Sequence, residues 1–195
     1  YHLQTMISPF VLRRLKKDVL KDLPDKLEEV YYAEATPSQK ELYDARVQRM
    51  KQMINSASDK EFKQDKIKIL AELTRLRQLC CNPSLIYEDY VNGSGKEDMC
   101  IDLIRRAVEG GHKILLFSQF TSMLDLLCKR LEKEHIPFYL LVGSTPKAKR
   151  AQLVEQFQQD SVPVFCISLK AGGTGLNLTA ADIVIHYDPW WNTAV

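Results

Sequence analysis

Apolar and polar positions recur with two periods along this chain, and from residue 96 onward the two alternate. Cys100, Leu103, Ile104, Ala107 and Val108 fall on one helix face, and the uninterrupted apolar run Ile114-Leu115-Leu116-Phe117 follows at strand length. Leu124, Leu127, Cys128 and Leu131 mark the next helix, and Phe138 to Val142 the next strand. Leu153, Val154 and Phe157 mark a third helix, capped by Thr145-Pro146, and strands near 164–168 and 183–187 complete the series. Buried strands alternating with helices predict βαβ units, hence an α/β fold with a parallel sheet flanked by helices.

The first 95 residues read differently. Val11, Leu12, Leu15 and Val19 lie on one face of a helix that carries Arg13, Arg14, Lys16 and Lys17. Glu28 to Glu34 reads as a strand, alternating through Val30 and Tyr32. Thr36-Pro37-Ser38-Gln39 supplies an N-cap, a first-turn proline and a capping-box glutamine, so a long helix is predicted from there. Its stripe is Tyr43, Val47, Met50 and Ile54. A second helix, with Ile69, Leu73, Leu76 and Cys80 aligned, follows the polar break at 55–60. The two predict a helical hairpin, and Gly93-Ser94-Gly95 predicts a flexible hinge after it. The partition is therefore 1–35, a linking segment and strand; 36–95, a helical pair; and 96–195, the sheet domain.

Composition narrows the classes. A chain of 195 residues with 45% hydrophobic content can bury one substantial core plus a smaller appended element. Net charge of +2 and a pI near 8.2 mean that any nucleic-acid contact comes from local clusters, not overall charge. The five cysteines, 80, 81, 100, 128 and 166, have neither zinc-site nor disulfide-framework spacing and read as buried thiols in a reducing compartment. No metal site is expected, no stretch has the apolar length of a membrane span, and Tyr1-His2-Leu3 is no signal peptide. The absence of a starting Met suggests an excised fragment.

The candidate chemistry lies where predicted strands end. Ser168 to Leu178 is a glycine-rich turn in which Gly172, Gly173 and Gly175 leave backbone N–H groups open to an anion and Lys170 adds a positive charge. A tight connection between two buried strands is the plainer reading of the same residues. Ser118-Gln119-Phe120, Gly143-Ser144-Thr145 and Asp188-Pro189-Trp190-Trp191 each follow a strand in the same way, so one sheet edge collects hydroxyls, amides and cations. Thr145 is both a phosphate-contact candidate and an ordinary N-cap. Lys147, Lys149, Arg150 and Lys170 offer charge to phosphates or simply to water. His112 and His186 have no acid or nucleophile arranged around them and read as structural. A dinucleotide-binding domain fits poorly, because the glycine loop comes late and lacks Gly-x-Gly-x-x-Gly spacing.

Five segments in order resemble the Swi/Snf-type DNA translocases of helicase superfamily two. They are the block from Ile7 to Leu27, Leu76 to Pro83, Lys113 to Phe120 (motif IV), Gly143 to Pro146 with Arg150, and 168–178 (motif V). The resemblance implies a RecA-like second motor lobe with an N-terminal helical protrusion at 36–95. It implies ATP and Mg²⁺ in the full-length protein, with Gly172, Gly173, Thr174 and Gly175 facing nucleotide. It implies double-stranded DNA held by Ser118, Gln119, Thr145, Arg150, Lys170 and Trp191, with Trp190 packed inward. The first lobe of the same chain and a protein–DNA complex are the other implied partners.

The sequence has no Gly-x-x-x-x-Gly-Lys-Thr and no Asp-Glu-x-His, and it stops before motif VI, so no catalytic residue is expected in it and the fragment alone is expected not to hydrolyse ATP. The resemblance places the protein in the nucleus of a eukaryote or on the nucleoid of a prokaryote. A degenerate lobe serving as a non-enzymatic DNA- or protein-binding module is the alternative.

Overall fold

The computed structural model describes residues 6–7, 9–11, 27–56, 66–172 and 175–189. Residues 1–31 and 32–195 form separate compact units. Of the basic helix expected near the start, Leu12, Leu15 and Val19 lie outside the described residues. The strand expected over Glu28 to Glu34 does not form. Residues 27–36 carry no regular secondary structure, and Val30 and Tyr32 are exposed, so the alternation there has no ladder partner among the described residues.

The first helix of the second unit is α1, Pro37–Ser56. Its start is fixed by a reciprocal capping box: Gln39 N donates to Thr36 Oγ1 at 3.3 Å, and Thr36 N donates to Gln39 Oε1 at 3.4 Å. The buried Gln39 also donates through Nε2 to the Leu79 carbonyl at 2.7 Å, which ties the start of α1 to the end of helix α2, Lys66–Cys81. The inward face of α2 ends on Leu76, Leu79 and Cys81, whereas Cys80, expected inward, is exposed. The last turn of α2 enters the main core through Cys81 in place of Cys80.

Gly93-Ser94-Gly95 is a packed joint and not an open hinge. Ser94 is buried and its hydroxyl donates to the Cys81 carbonyl at 2.8 Å, and Tyr187 Oη donates to the same carbonyl at 2.9 Å. A Cβ on Gly95 would lie 2.0 Å from the Glu34 carbonyl oxygen, so only glycine fits this approach.

From Gly95 the predicted alternation is present. The elements are α3 (Gly95–Glu109), β1 (Ile114–Ser118), α4 (Thr121–Lys133), β2 (Phe138–Leu141), α5 (Lys147–Gln159), β3 (Val164–Ser168), the single turn α6 (Leu169–Gly172) and β4 (Ile183–His186). All strand pairs are parallel, in the order β2-β3-β1-β4. From β1 the chain crosses past β3 to β2 and then reverses, and a reversal with crossovers of one hand sends successive helices to opposite faces. The core follows this rule. Ile114, Leu116, Val164 and Cys166 pack with α3 and α4 residues such as Ile104 and Leu127, while Leu115, Phe165 and Ile167 pack with Leu153 and Phe157 of α5. The period-two alternation of the strands thus feeds two cores, and the fold is the expected α/β sandwich of helix, sheet and helix.

The amino ends of β1 and β4 are joined by His112 and Asp182. The Asp182 carboxylate bonds His112 Nδ1 at 2.5 Å and accepts from Lys113 N at 3.0 Å, and the His112 contact holds its carboxyl below the usual range. Contrary to the sequence expectation, His112 has an acid beside it, and the pair bridges the two strand ends.

Two outcomes follow from this packing. Gly95→Ala is expected to cost about 2–3 kcal/mol through overpacking, read as a lower Tm, while Gly143→Ala, with nothing within 4 Å of the new Cβ, leaves Tm unchanged. Of the five thiols only Cys80 is exposed, and burial pushes Cys81 and Cys100 up to about 12. Native alkylation followed by mass spectrometry should therefore modify Cys80 alone, and the remaining thiols only on unfolding.

Candidate nucleic-acid and nucleotide site

The strand-end loops converge on a buried carboxylate. Asp188, two residues beyond β4, is 5% exposed. Its oxygens accept from Gln119 N at 3.2 and 3.1 Å, and the Ser118 hydroxyl also bonds it. Burial pushes the Asp188 carboxyl up, and these donors together with Arg77 and Lys96 oppose the rise.

Arg77, from α2, completes the arrangement. Its Nη1 donates to Gln119 Oε1 at 3.0 Å, its Nη2 donates to the Pro189 carbonyl at 3.3 Å, and Nη2 lies 4.0 Å from Asp188 Oδ2. The guanidinium carbon sits 5.6 Å from the Phe120 ring centroid. One side chain of the helical pair thus reaches the loops after both β1 and β4. A cavity of about 260 Å³ opens beside it, lined by residues that include Tyr43, Leu73, Cys80 and Lys96.

The sequence-derived candidates take different positions around this centre. Ser118 is fully buried, and its hydroxyl is engaged with Asp188 and with the backbone of Phe120, so it braces the loop from within. Gln119 is half-buried and lies at the centre of the arrangement. Thr145 does not cap α5: its Oγ1 accepts from Val142 N at 3.1 Å, closing the turn before the helix, and the cap position is Pro146, which offers no side-chain bond. A proline there already fixes the entry angle, which frees the threonine to lock the turn.

Arg150 Nη1 donates to the Ala171 carbonyl at 3.0 Å, tying α5 to α6. Lys170 is exposed. Gly172 is committed to packing, since a Cβ would meet the Phe117 ring at 2.8 Å, and Gly175 has φ of +54°, a left-handed turn that suits glycine. Gly173, Thr174, Trp190 and Trp191 lie outside the described residues. Beneath the loop, the buried Ser168 hydroxyl has no hydrogen-bond partner among the described residues. His186 stacks on Phe117 at 5.4 Å between centroids, a packing role.

Sequence reasoning missed Arg77 and Asp188 as partners. Each stands in a segment singled out for other reasons, but their separation of 111 positions leaves no local signal that they meet.

Loops of this kind on a parallel sheet are shared by many nucleotide-binding proteins, and comparison with known proteins decides among them. The helicase conserved C-terminal domain model matches residues 95–195, and the SNF2-related domain model matches residues 1–85. The chain belongs to the SNF2 family of helicase superfamily two. The putative ATP-dependent helicase/translocase YwqA of Bacillus subtilis is 39% identical over 201 residues, covering 99% of this chain and 22% of that protein. The Sulfolobus solfataricus SWI2/SNF2 ATPase C-terminal domain superposes with a TM-score of 0.78 at 36% identity, covering 88% of this chain and 75% of that one. The Sulfolobus ATPase core in complex with dsDNA gives a TM-score of 0.78 at 36% identity, covering 98% and 41%. The chain spans about a fifth of the length of the curated relatives it matches. Its sheet and flanking helices are a RecA-like lobe of the SNF2 type. Among the described residues no helix is long and apolar enough to cross a membrane.

The raised Asp188 carboxyl makes a signed prediction. Folding favours its protonated form, so its contribution to stability falls as pH rises from the ordinary aspartate value, about 3.9, through the higher folded value. Urea unfolding of the chain against Asp188→Asn should show a stability difference that declines over that interval and then levels; a difference that grows with pH would contradict the assignment.

Proposed function

We propose that this chain is the second motor lobe of an ATP-dependent double-stranded DNA translocase, a SNF2-type remodeller of protein–DNA complexes. The observation that carries the reading is the convergence of Gln119, Thr145 and Lys170 on the carboxyl edge of one parallel sheet, in a fold that closely resembles an ATPase core bound to dsDNA. In this reading Gln119, Lys170 and Trp191 meet a DNA strand. Ser118, Thr145 and Arg150 act mainly from behind, holding the loops that carry those contacts.

ATP and Mg²⁺ belong to the cleft between this lobe and a first lobe of the same protein. The loop suits a phosphate-bearing ligand in part: the left-handed turn at Gly175 and the exposed Lys170 fit it, while Gly172 serves packing against Phe117. Closure of the lobes on ATP would shift the grip of this edge along the DNA backbone. Residues 36–95 are the family's helical protrusion, 1–35 the segment leading into the lobe and 96–195 the lobe itself. The chain alone, without Walker-type sequences, is not expected to turn over ATP. The protein works in the nucleus or on the nucleoid.

Lys170→Glu tests the reading. In the full-length protein it is expected to weaken duplex binding about equally across sequences and to lower the salt dependence of affinity by about one released ion. Fluorescence anisotropy at several salt concentrations measures both, and an unchanged affinity and slope would remove Lys170, and the loop with it, from the DNA interface.

A further inference from the structure

We propose that Arg77 is a positioning residue that fixes the side-chain amide of Gln119 so that its NH₂ group is presented as a hydrogen-bond donor to a backbone phosphate. This rests on the DNA-translocase reading above and names the atom and the device behind one of its contacts.

The chemistry of the two groups decides the orientation. A glutamine amide carries an acceptor at one end and two donors at the other, and which end faces a neighbour follows from the neighbour's own capacity. Arginine only donates. Arg77 Nη1 lies 3.0 Å from Oε1, so the amide oxygen is consumed by the guanidinium and the nitrogen is the end left over. Gln119 Nε2 has no hydrogen-bond partner among the described residues. The backbone of Gln119 is held as well, because its N–H donates to both oxygens of the buried Asp188. Arg77 is placed in turn by the Pro189 carbonyl at 3.3 Å, the Asp188 carboxylate at 4.0 Å and the Phe120 ring.

A free glutamine amide would present donor and acceptor with equal ease, and an acceptor facing a phosphate repels it. Fixing the amide by a donor-only partner removes that wrong state before binding, which is preorganisation by hydrogen bonding. Because Arg77 stands on α2, it also makes the helical pair a support of the β1 loop. The geometry therefore predicts coupling between a residue of the helical pair and the residue proposed to touch DNA.

The test is a double-mutant cycle in the full-length protein, with duplex DNA affinity as the readout. Gln119→Leu, which keeps the size and loses the donor, should weaken binding about tenfold. Arg77→Lys, which keeps a charge beside Asp188 but cannot hold both Oε1 and the Pro189 carbonyl, should weaken it about threefold, and the double variant should be no weaker than Gln119→Leu alone. Effects that multiply would overturn the proposal. Gln119→Glu tests it without burdening the fold: the carboxylate pairs with Arg77, so Tm is held, yet no donor remains and affinity falls at least about tenfold. Wild-type affinity in that variant would also overturn it. If the unmodified protein binds no duplex, the translocase reading fails and this inference with it; if it binds and the cycle is additive, only this inference fails.

Discussion

A buried carboxylate governs the functional edge of this lobe. Taking a charge out of water costs several kcal/mol unless the site supplies compensating partners, and Asp188 is almost wholly enclosed. The compensation comes from a backbone N–H and a hydroxyl after β1, the guanidinium of α2 and the charge of Lys96 on α3. None of these groups can move far without leaving the charge unpaired. The loops after β1 and β4 are therefore held in one relation, and the helical pair is tied to both. The Cys81 carbonyl, which accepts from Ser94 and Tyr187, makes a second junction, of the end of α2 with the start of α3 and the segment after β4.

The sheet supplies the frame on which that charge is placed. Reversal of direction at β2 sends helices to both faces, and the chemistry-bearing loops gather at the carboxyl ends of the strands. Around the centre, several polar residues serve geometry. Thr145 closes a turn, Arg150 binds α5 to the glycine loop, and Gly172 lets that loop lie against Phe117. Exposed Lys170 and the amide of Gln119 are left as groups with capacity for a ligand. In the proposed reading, a lobe that releases and regains DNA at every cycle has reason to divide its residues in this way, with the support fixed and the gripping groups few.

Much of the fold was legible from the residues because its determinants are local. Two-sided apolar runs announce the strands, three- and four-residue spacing announces α3, α4 and α5, and the Thr36–Gln39 capping box announces α1 within a single turn of sequence. What was misread depends on long-range packing. Val30 and Tyr32 alternate like a strand, but alternation supplies no partner. Cys80 sits on the apolar stripe of α2, yet it is Cys81 that enters the main core. Gly93-Ser94-Gly95 has the composition of a linker, while its glycine answers to a carbonyl 61 positions earlier and its serine to the end of α2. For the site, the glycine loop, Gln119 and Lys170 stood out by position after strands. Asp188 stood out in the same way and Arg77 within its motif, but their pairing did not, since an ion pair across 111 positions leaves no trace in local pattern.

The most direct measurement of the central claim is ATP hydrolysis by the full-length protein, with no nucleic acid and with duplex DNA, single-stranded DNA or RNA, at two salt concentrations. The account predicts strong stimulation by duplex DNA alone, fading as salt rises and phosphate contacts are lost. Absence of hydrolysis under every condition, or stimulation indifferent to duplex DNA, would contradict it and leave a lobe that binds without driving movement.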